Sequence, residues 1–328
     1  MKKRRCCWLK KGYLYILIAT ILFSSMEIAL KTLAGAFHPI QMTLTRFLVG
    51  GIVLLPFALR ALARKQISLD KKSLGYFALL GLMGVVVSMS FYQLAVERVK
   101  ASVVAVLFSS NPVFVLFFAY FILREAITKR HIAALILEIA GIIAIINPFQ
   151  MEIDGAGLLF TVLATVTFAL YGVLGKKKCR QFGGVVVTCF SFLFGSLEML
   201  LLAVLTKIGP IADFITAHGM ETFADIPLLA GYTPDNILTV LYIAVGVTGI
   251  GYAAYFLAME AASANTASLV FFFKPALAPV LALVILGEAI PLHMFLGILL
   301  ILSGSLTTIL PDLLEQKRQK PPIRTEEI

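Results

Sequence analysis

The chain has 328 residues, of which 60% are hydrophobic and only 14% are charged, whereas an ordinary soluble domain carries about 25% charged residues. This composition excludes an ordinary soluble protein and indicates an integral membrane protein. The net charge of +10 is explained by basic loops on one side of a membrane, so it requires no nucleic-acid partner. The four cysteines show no paired spacing, and the sequence predicts no disulfide framework, no metal site and no cofactor.

In chain order, a basic start leads into an apolar run that continues past Leu22. Because no small-residue cleavage site interrupts this run, it predicts a retained first helix and not a cleaved signal peptide. The later apolar stretches lack strand alternation and are too long for barrel strands, so each predicts a spanning α-helix. The ten predicted segments are 12–34, 39–62, 74–96, 101–123, 131–148, 156–175, 184–207, 236–259, 264–286 and 292–310.

Lysine and arginine residues are concentrated in alternate loops. One side of the membrane would receive the chain start 1–11, the run Lys176–Lys178 and the tail 311–328, whereas the long loop 208–235 on the other side is mainly acidic. By the positive-inside rule, both termini are predicted to be cytoplasmic and the protein to lie in the cell membrane.

Two parts of the chain repeat one another. Residues 92–141 align without a gap with residues 255–304 and are identical at about fifteen positions, far more than shared hydrophobicity explains. A weaker copy aligns Gly12 with Gly157. The first half, 12–148, and the second half, 156–310, therefore each hold five predicted helices. Because five is odd, the second half enters the membrane from the opposite side, which predicts the inverted repeat that many secondary transporters use.

The halves also share an interior proline followed by a Glu motif, "LREAIT" in one and "LGEAIP" in the other. This pattern resembles the drug/metabolite transporter superfamily, and within it the EamA-type members, over roughly residues 12–310. The resemblance implies an all-α membrane fold that moves small metabolites, amino acids or drugs, often outward, through a cavity lined by the first, third and fourth helices of each half. The chain departs from the family at Arg124, which replaces the usual glycine before Glu125, at Lys274 and in its long loop.

Ionisable groups inside spans are costly, so each is expected to have a partner or a function. Glu27 has two predicted partners, Lys31 one helical turn later and Arg46 at a similar depth in the second segment. A structural Glu27–Arg46 pair and a role for Glu27 in the cavity remain alternatives, and Arg46 by itself is interpreted as structural. The other two candidates, Glu138 and Glu198, are on helices that the family resemblance places at the periphery.

Lys274 lies about ten residues, or about 15 Å, into its segment and therefore near the membrane midplane. It precedes Pro275, just as its repeat mate Asn111 precedes Pro112. Proline disturbs the preceding helical turn, so both prolines predict helix kinks. Free carbonyls at this depth are tolerated where they line a cavity, which favours one central site. The alternative is that the prolines only kink packed helices and Lys274 neutralises Glu27 or a carbonyl.

Several aromatic and hydroxyl groups lie at a similar depth and suit orienting contacts in a small-molecule site, although each tyrosine could instead serve helix packing. The predicted substrate-binding residues are Lys274, Asn111, Glu27, Tyr92, Tyr171, Tyr252 and Tyr255.

These features predict a secondary transporter of a small metabolite, an amino acid, organic acid or drug-like compound, working as an exporter by alternating access. The expected partners are the substrate, a coupling proton on Lys274 or Glu27, and the lipid bilayer; a homodimer is left open. The alternatives are an intramembrane enzyme or a membrane scaffold. The sequence has no His-Glu-x-x-His or Gly-x-Ser-x-Gly motif, so an enzyme is not expected.

Overall fold

The computed structural model describes residues 2–146, 154–218, 220–261, 264–271 and 274–318, and the regular elements in these ranges are helices. The α-helices are α1 (Lys2–Ser24), α2 (Met26–Thr32), α3 (Pro39–Lys65), α4 (Lys71–Gly81), α5 (Met89–Arg98), α6 (Ala101–Phe108), α7 (Asn111–Phe118), α8 (Lys129–Ile146), α9 (Gly155–Phe182), α10 (Gly184–Leu205), α11 (Gly209–Ala217), α12 (Ile237–Leu241), α13 (Tyr252–Ala261), α14 (Ala264–Ala267), α15 (Lys274–Leu286) and α16 (Leu292–Arg318). Wide π-helical turns occupy Leu82–Ser88, Ala119–Leu123 and Tyr242–Gly251, and 3₁₀ turns occupy Glu221–Phe223 and Ser268–Phe271.

Within the described residues, 7 helical stretches are long and apolar enough to cross a membrane. They are Lys11–Thr32, Pro39–Lys65, Lys71–Arg98, Ala101–Leu123, Gly155–Phe182, Gly184–Leu205 and Ile237–Ala261. Shorter apolar helices cover Ile132–Ile145, Leu277–Leu286 and Leu292–Gly304. The prediction of an all-α, multi-pass membrane protein is confirmed, whereas the ten-helix count and the inverted repeat stay predictions.

Two of the predicted segments, 101–123 and 264–286, are divided in the structure. The first is broken between Phe108, where α6 ends, and Asn111, where α7 begins. Pro112 lies in the first turn of α7, where its missing N–H removes no helical hydrogen bond of that helix. In the second, α14 and a 3₁₀ turn precede α15, which starts at Lys274 just before Pro275. Each proline therefore starts a new helix near the middle of its segment.

Small residues let neighbouring helices come close together. A methyl group on Gly81 of α4 would lie 2.4 Å from the backbone nitrogen of Gly195 on α10, so the two backbones are nearly in contact. Similarly, a methyl group on Gly141 of α8 would lie 2.7 Å from the carbonyl oxygen of Gly297 on α16. The main bundle and the α8–α16 pair thus both depend on glycine at their helix crossings.

The middle of the bundle is filled by aromatic side chains from both halves. The ring of Phe168 on α9 lies 5.3 Å from that of Phe108, 5.8 Å from that of Tyr252 and 5.8 Å from that of Phe271, measured between centroids. Phe23 on α1 adds a contact of 4.9 Å with Tyr252. These rings join α1, α6, α9 and α13 at the centre of the bundle.

The long loop after α10 folds over the end of the bundle where α3 begins. The hydroxyl groups of Thr45 and Tyr232 are 2.5 Å apart, and Gln41 Nε2 donates to the carbonyl of Ala230 at 2.7 Å. Gly231 has a φ of +86°, and a Cβ there would collide with the carbonyl oxygen of Ala36. The loop therefore covers this end of the bundle closely, and a glycine is required at the point of contact.

Candidate functional site

A buried ion pair joins the two halves of the chain. Glu27 is in the first turn of α2, Lys274 is the first residue of α15, and Glu27 Oε1 contacts Lys274 Nζ. Both side chains are 0% exposed. The helix break before Pro275 places Lys274 at the start of a helix, from which its ammonium group reaches α2. The two predicted residues thus come together, in the arrangement where lysine neutralises the carboxylate.

The predicted partners Lys31 and Arg46 do not pair with Glu27. Lys31 Nζ points instead to the end of α5, where it donates to the carbonyl oxygens of Val96, Glu97 and Val99 at 2.8, 3.2 and 3.1 Å. Spacing of four residues puts two side chains on one helix face, but three carbonyl acceptors at a helix C-terminus attract an ammonium group more strongly than one carboxylate already bound to Lys274.

Aromatic groups surround the lysine. Lys274 Nζ lies 4.9 Å from the ring centroid of Phe108 and 5.8 Å from that of Tyr92, distances at which the ring faces attract a cation. Tyr92 also lies beside the Glu27 carboxylate. The structure therefore brings together Glu27, Tyr92 and Lys274 from three different predicted segments.

Arg46, which the sequence analysis interpreted as structural, is a third charged group in this region. It lies on α3 with 0% exposure, and its guanidinium carbon is 4.8 Å from the ring centroid of Phe47. The phenol groups of Tyr252 and Tyr92 and the carboxylate of Glu27 lie near it. The signal in the sequence was that no acidic residue lies one turn away from Arg46 in either direction. Glu27, Arg46 and Lys274 are called the charged cluster below.

The other predicted site residues lie in the same buried core but have different contacts. Asn111 Nδ2 donates to the carbonyl of Thr165 at 3.2 Å, and the hydroxyl of Tyr171 is 3.0 Å from that of Ser191. The hydroxyl of Tyr252 donates to the sulfur of Met89 at 3.0 Å. Asn111 Oδ1 and the hydroxyl of Tyr255 have no hydrogen-bond partner among the described residues.

The second half contains a neutral counterpart of the charged cluster. The alignment of Gly12 with Gly157 places Glu27 at the position of Gly172 and Arg46 at the position of Ser191. The same alignment matches the first residue of α3 with the first residue of α10. The alignment of Tyr92 with Tyr255 places Lys274 at the position of Asn111. Each of the three charged residues is therefore replaced by a small or neutral residue at the related position.

Lysine contacts at the two ends of the bundle follow the same correspondence. At one end of the bundle Lys31 donates to the carbonyl of Val96. At the other end Lys176 donates to the carbonyl of Met259. In the repeat alignment, Lys176 corresponds to Lys31 and Met259 corresponds to Val96. Each lysine thus ties the first helical segment of its half to the C-terminal end of the third.

Carboxylates at the two ends cap helices of the opposite half. Glu288 accepts hydrogen bonds from the backbone nitrogens of Ala101 and Ser102, both at 3.0 Å, and from the Ser102 hydroxyl at 2.5 Å. Glu125, its counterpart, accepts from the backbone nitrogen of Ala264 at 3.3 Å. Since carboxylates stabilise helix N-termini, these contacts hold the two halves together at both ends of the bundle.

Glu138 and Glu198 lie away from the charged cluster, on α8 and α10. Glu138 is 3% exposed, and Glu198 lies between Leu197 and Leu201, which are 61% and 60% exposed and belong to the outer surface of the bundle. Neither residue is among the charged neighbours of Arg46 or Lys274.

Comparison with known proteins shows what the chain is similar to. The EamA-like transporter family matches residues 10–147 and 155–310, which is most of the chain. An "Uncharacterized transporter" of Clostridium kluyveri is 40% identical over 306 residues, covering 91% of this chain and 93% of that protein. "Protein PecM" of Dickeya dadantii is 26% identical over 243 residues, covering 74% of this chain and 75% of that protein.

A solved crystal structure has the same fold, with a TM-score of 0.68 at 18% sequence identity, and the similarity covers 92% of this chain and 98% of that one. At this identity the similarity establishes the fold alone. The family match extends over both halves of the sequence and over the buried cluster between them. The chain therefore belongs to the EamA-like transporter family, within the drug/metabolite transporter superfamily, and is a multi-pass membrane transporter.

Proposed function

We propose that this transporter is a secondary carrier that exports a small metabolite, an amino acid, an organic acid or a drug-like compound, by alternating access. The observation that supports this proposal is the ion pair between Glu27 and Lys274. It lies at the junction of the two halves, beside a helix that begins within its membrane segment, and helix ends of this kind form the substrate and ion sites of many carriers.

The pair gives the carrier a contact that must change during transport. Glu27 and Lys274 have no exposed surface, so water reaches neither side chain in this conformation. Breaking a buried pair without a replacement costs about 3–5 kcal/mol, because it leaves an uncompensated charge. Opening therefore requires water, a substrate or a proton to take over one of the two contacts, which links conformational change to binding.

The contacts at the two ends of the bundle are the proposed gates. One end is held by Lys31 on the α5 carbonyls and by Glu288 at the start of α6, the other by Lys176 and Glu125. Because both sets join helices across the bundle, releasing one while the other holds would open the centre to one side only. The basic loops favour a cytoplasmic location for the Glu125 end and for both termini, in the plasma membrane.

Transport by reconstituted protein tests the proposal. Proteoliposomes containing a pH-sensitive dye and an imposed pH gradient are exposed to amino acids, monocarboxylates, dicarboxylates and ethidium in turn. We expect at least one compound to cause saturable proton movement and to support counterflow. Flux that neither saturates nor shows counterflow would indicate a channel and contradict the proposal.

Variants then test the role of the ion pair. Lys274→Ala and Glu27→Gln are each expected to abolish the compound-dependent proton movement, whereas Lys72→Ala, which removes an exposed basic residue of α4, leaves it unchanged. Unchanged transport by Lys274→Ala would remove the lysine from the mechanism.

A further inference from the structure

The guanidinium group of Arg46 is buried, and no carboxylate of the described residues forms a hydrogen bond with it. Its Nη1 approaches the sulfur of Met26 at 3.4 Å, a weak acceptor, while Nε and Nη2 have no hydrogen-bond partner among the described residues. Buried arginine side chains are normally paired, because removing their charge from water is costly. Arg46 thus has an unused binding capacity in the middle of the bundle.

The charges around Arg46 do not cancel. Glu27 is the carboxylate near Arg46, and it is already bound by Lys274. The charged cluster therefore contains two cations and one anion, all with 0% exposure. One further negative charge would make the cluster neutral.

The free edge of Arg46 has the shape that recognises a carboxylate. Nε and Nη2 donate side by side on one edge of the planar guanidinium group, and this fork matches the two oxygens of a carboxylate. The surroundings are apolar and aromatic, with Phe47 under the guanidinium group and Tyr252 stacked edge-on 5.6 Å from Phe47. A ligand that fits has one carboxylate and an apolar or aromatic body.

We propose that Arg46 is a substrate-binding residue and that the transported compounds are small monocarboxylates with an apolar or aromatic body. This inference rests on the proposed transport function and specifies its substrate class. In this assignment the Glu27–Lys274 pair contributes no net charge to recognition, and the carboxylate of the substrate binds the Nε–Nη2 edge of Arg46. A dianion would leave the cluster negative, so monoanions are preferred.

Binding to the purified full-length protein tests this assignment without any transport measurement. The probes are benzoate, phenylacetate and indole-3-acetate, each compared with its neutral amide, and inorganic phosphate. We expect at least one acid to raise the melting temperature and its amide to bind about tenfold more weakly or worse, since a bond to a charged group is lost. If no acid binds, if acid and amide bind equally, or if phosphate binds better than every acid, the proposal is wrong.

Substitutions of Arg46 supply a second test. Arg46→Gln is expected to weaken acid binding by about tenfold or more, and Arg46→Lys to restore part of it, because lysine keeps the charge but not the fork. Arg60→Gln, an exposed position on the same helix, is the matched control and is expected to bind as the wild type does.

The stability of the ligand-free protein separates binding from a structural role. Arg46→Met replaces an uncompensated buried charge by an apolar side chain of similar length, so we expect its melting temperature to rise. A lower melting temperature together with unchanged acid binding would show that Arg46 is structural and would overturn the proposal.

The binding experiment and the transport experiment can fail separately. Acid binding that depends on Arg46, in a protein that shows no counterflow, would contradict the carrier mechanism and keep the binding site. Saturable transport of a cation or a neutral compound, without acid binding, would contradict the binding site and keep the carrier.

Discussion

The two halves of the chain agree at the ends of the bundle and differ at its centre. Lys31 and Lys176 bind corresponding carbonyls, and Glu288 and Glu125 cap corresponding helix starts. At the centre, by contrast, the first half supplies Glu27, which binds Lys274, and Arg46. The related residues are the neutral Gly172, Ser191 and Asn111. Contacts that join helices at the ends of the bundle are thus present twice, and the buried charges at its centre once.

This difference separates architecture from recognition. A carrier that opens alternately to two sides needs similar closing contacts at both ends. A single substrate site needs only one set of specific groups, and a second buried charged set would add desolvation cost without a ligand to offset it. Four predictions follow this comparison, from the largest expected effect to the smallest.

Lys274 is expected to tolerate substitution much less than its neutral counterpart, Asn111. Lys274→Met leaves the Glu27 carboxylate buried and unpaired, which costs about 3–5 kcal/mol, whereas Asn111→Ala loses a neutral hydrogen bond of about 1 kcal/mol. The double variant Glu27→Gln/Lys274→Met removes both charges and is expected to recover most of the stability. Melting temperatures in detergent measure all three, and equal losses for Lys274→Met and Asn111→Ala would refute the difference between the halves.

The two capping carboxylates are expected to differ in strength. Glu288 accepts three hydrogen bonds and Glu125 accepts one from the described residues, so Glu288→Ala should cost about 2 kcal/mol and Glu125→Ala about 1 kcal/mol. Glu221→Ala, at an exposed position in the long loop, is the control. The same melting experiment decides, and a larger loss for Glu125→Ala would reverse the ranking.

The turns before Glu125 and Glu288 have different residues at the position directly preceding the glutamate. Arg124 has a φ of +57° and its counterpart Gly287 a φ of +68°, a conformation that favours glycine. Arg124→Gly should therefore stabilise the protein by about 1 kcal/mol, and Gly287→Ala should destabilise it by a similar amount. Opposite shifts in melting temperature are the expected result; two shifts of the same sign would show that backbone conformation does not dominate here.

Acid sensitivity is the smallest expected difference. The hydrogen bond from Arg98 to Asp154 lowers the pKa of the Asp154 carboxyl below its usual range. The ionised carboxylate therefore contributes to stability above about pH 4. This contribution is lost as the pH falls through the lower pKa of the folded state. Asp154→Asn should lower the melting temperature slightly at pH 6, and this difference should shrink as the pH falls through the folded-state pKa. Asp70, a helix cap bonded to Ser73 without an arginine, offers the comparison variant Asp70→Asn. A difference for Asp154→Asn that persists unchanged at pH 3 would exclude the carboxylate as its cause.

The sequence predicted the helical class, the apolar segments and most of the residues that meet at the centre. Glu27, Tyr92 and Lys274 were identified because charge and hydroxyl groups stand out in apolar stretches. The sequence left the Glu27–Lys274 pair as one of several alternatives, because depth along a segment does not specify rotation about the helix axis. Each residue changes that rotation by about 100°. The unpaired state of Arg46 depends on which acidic group is bound elsewhere, and only the packed structure shows this.

The wide turns in the third helical segment of each half bear on the orientation of the tyrosines. Leu82–Ser88 and Tyr242–Gly251 are π-helical, so their hydrogen bonds span one residue more than those of an α-helix. If either turn tightened to α-helical bonding, every residue beyond it would rotate by about 100° around the helix axis. Tyr92 and Tyr255 each lie about one helical turn beyond the end of these π-helical turns. The winding of a few residues therefore sets which face of the helix each ring occupies, and a change in winding would move a phenol group without moving the helix.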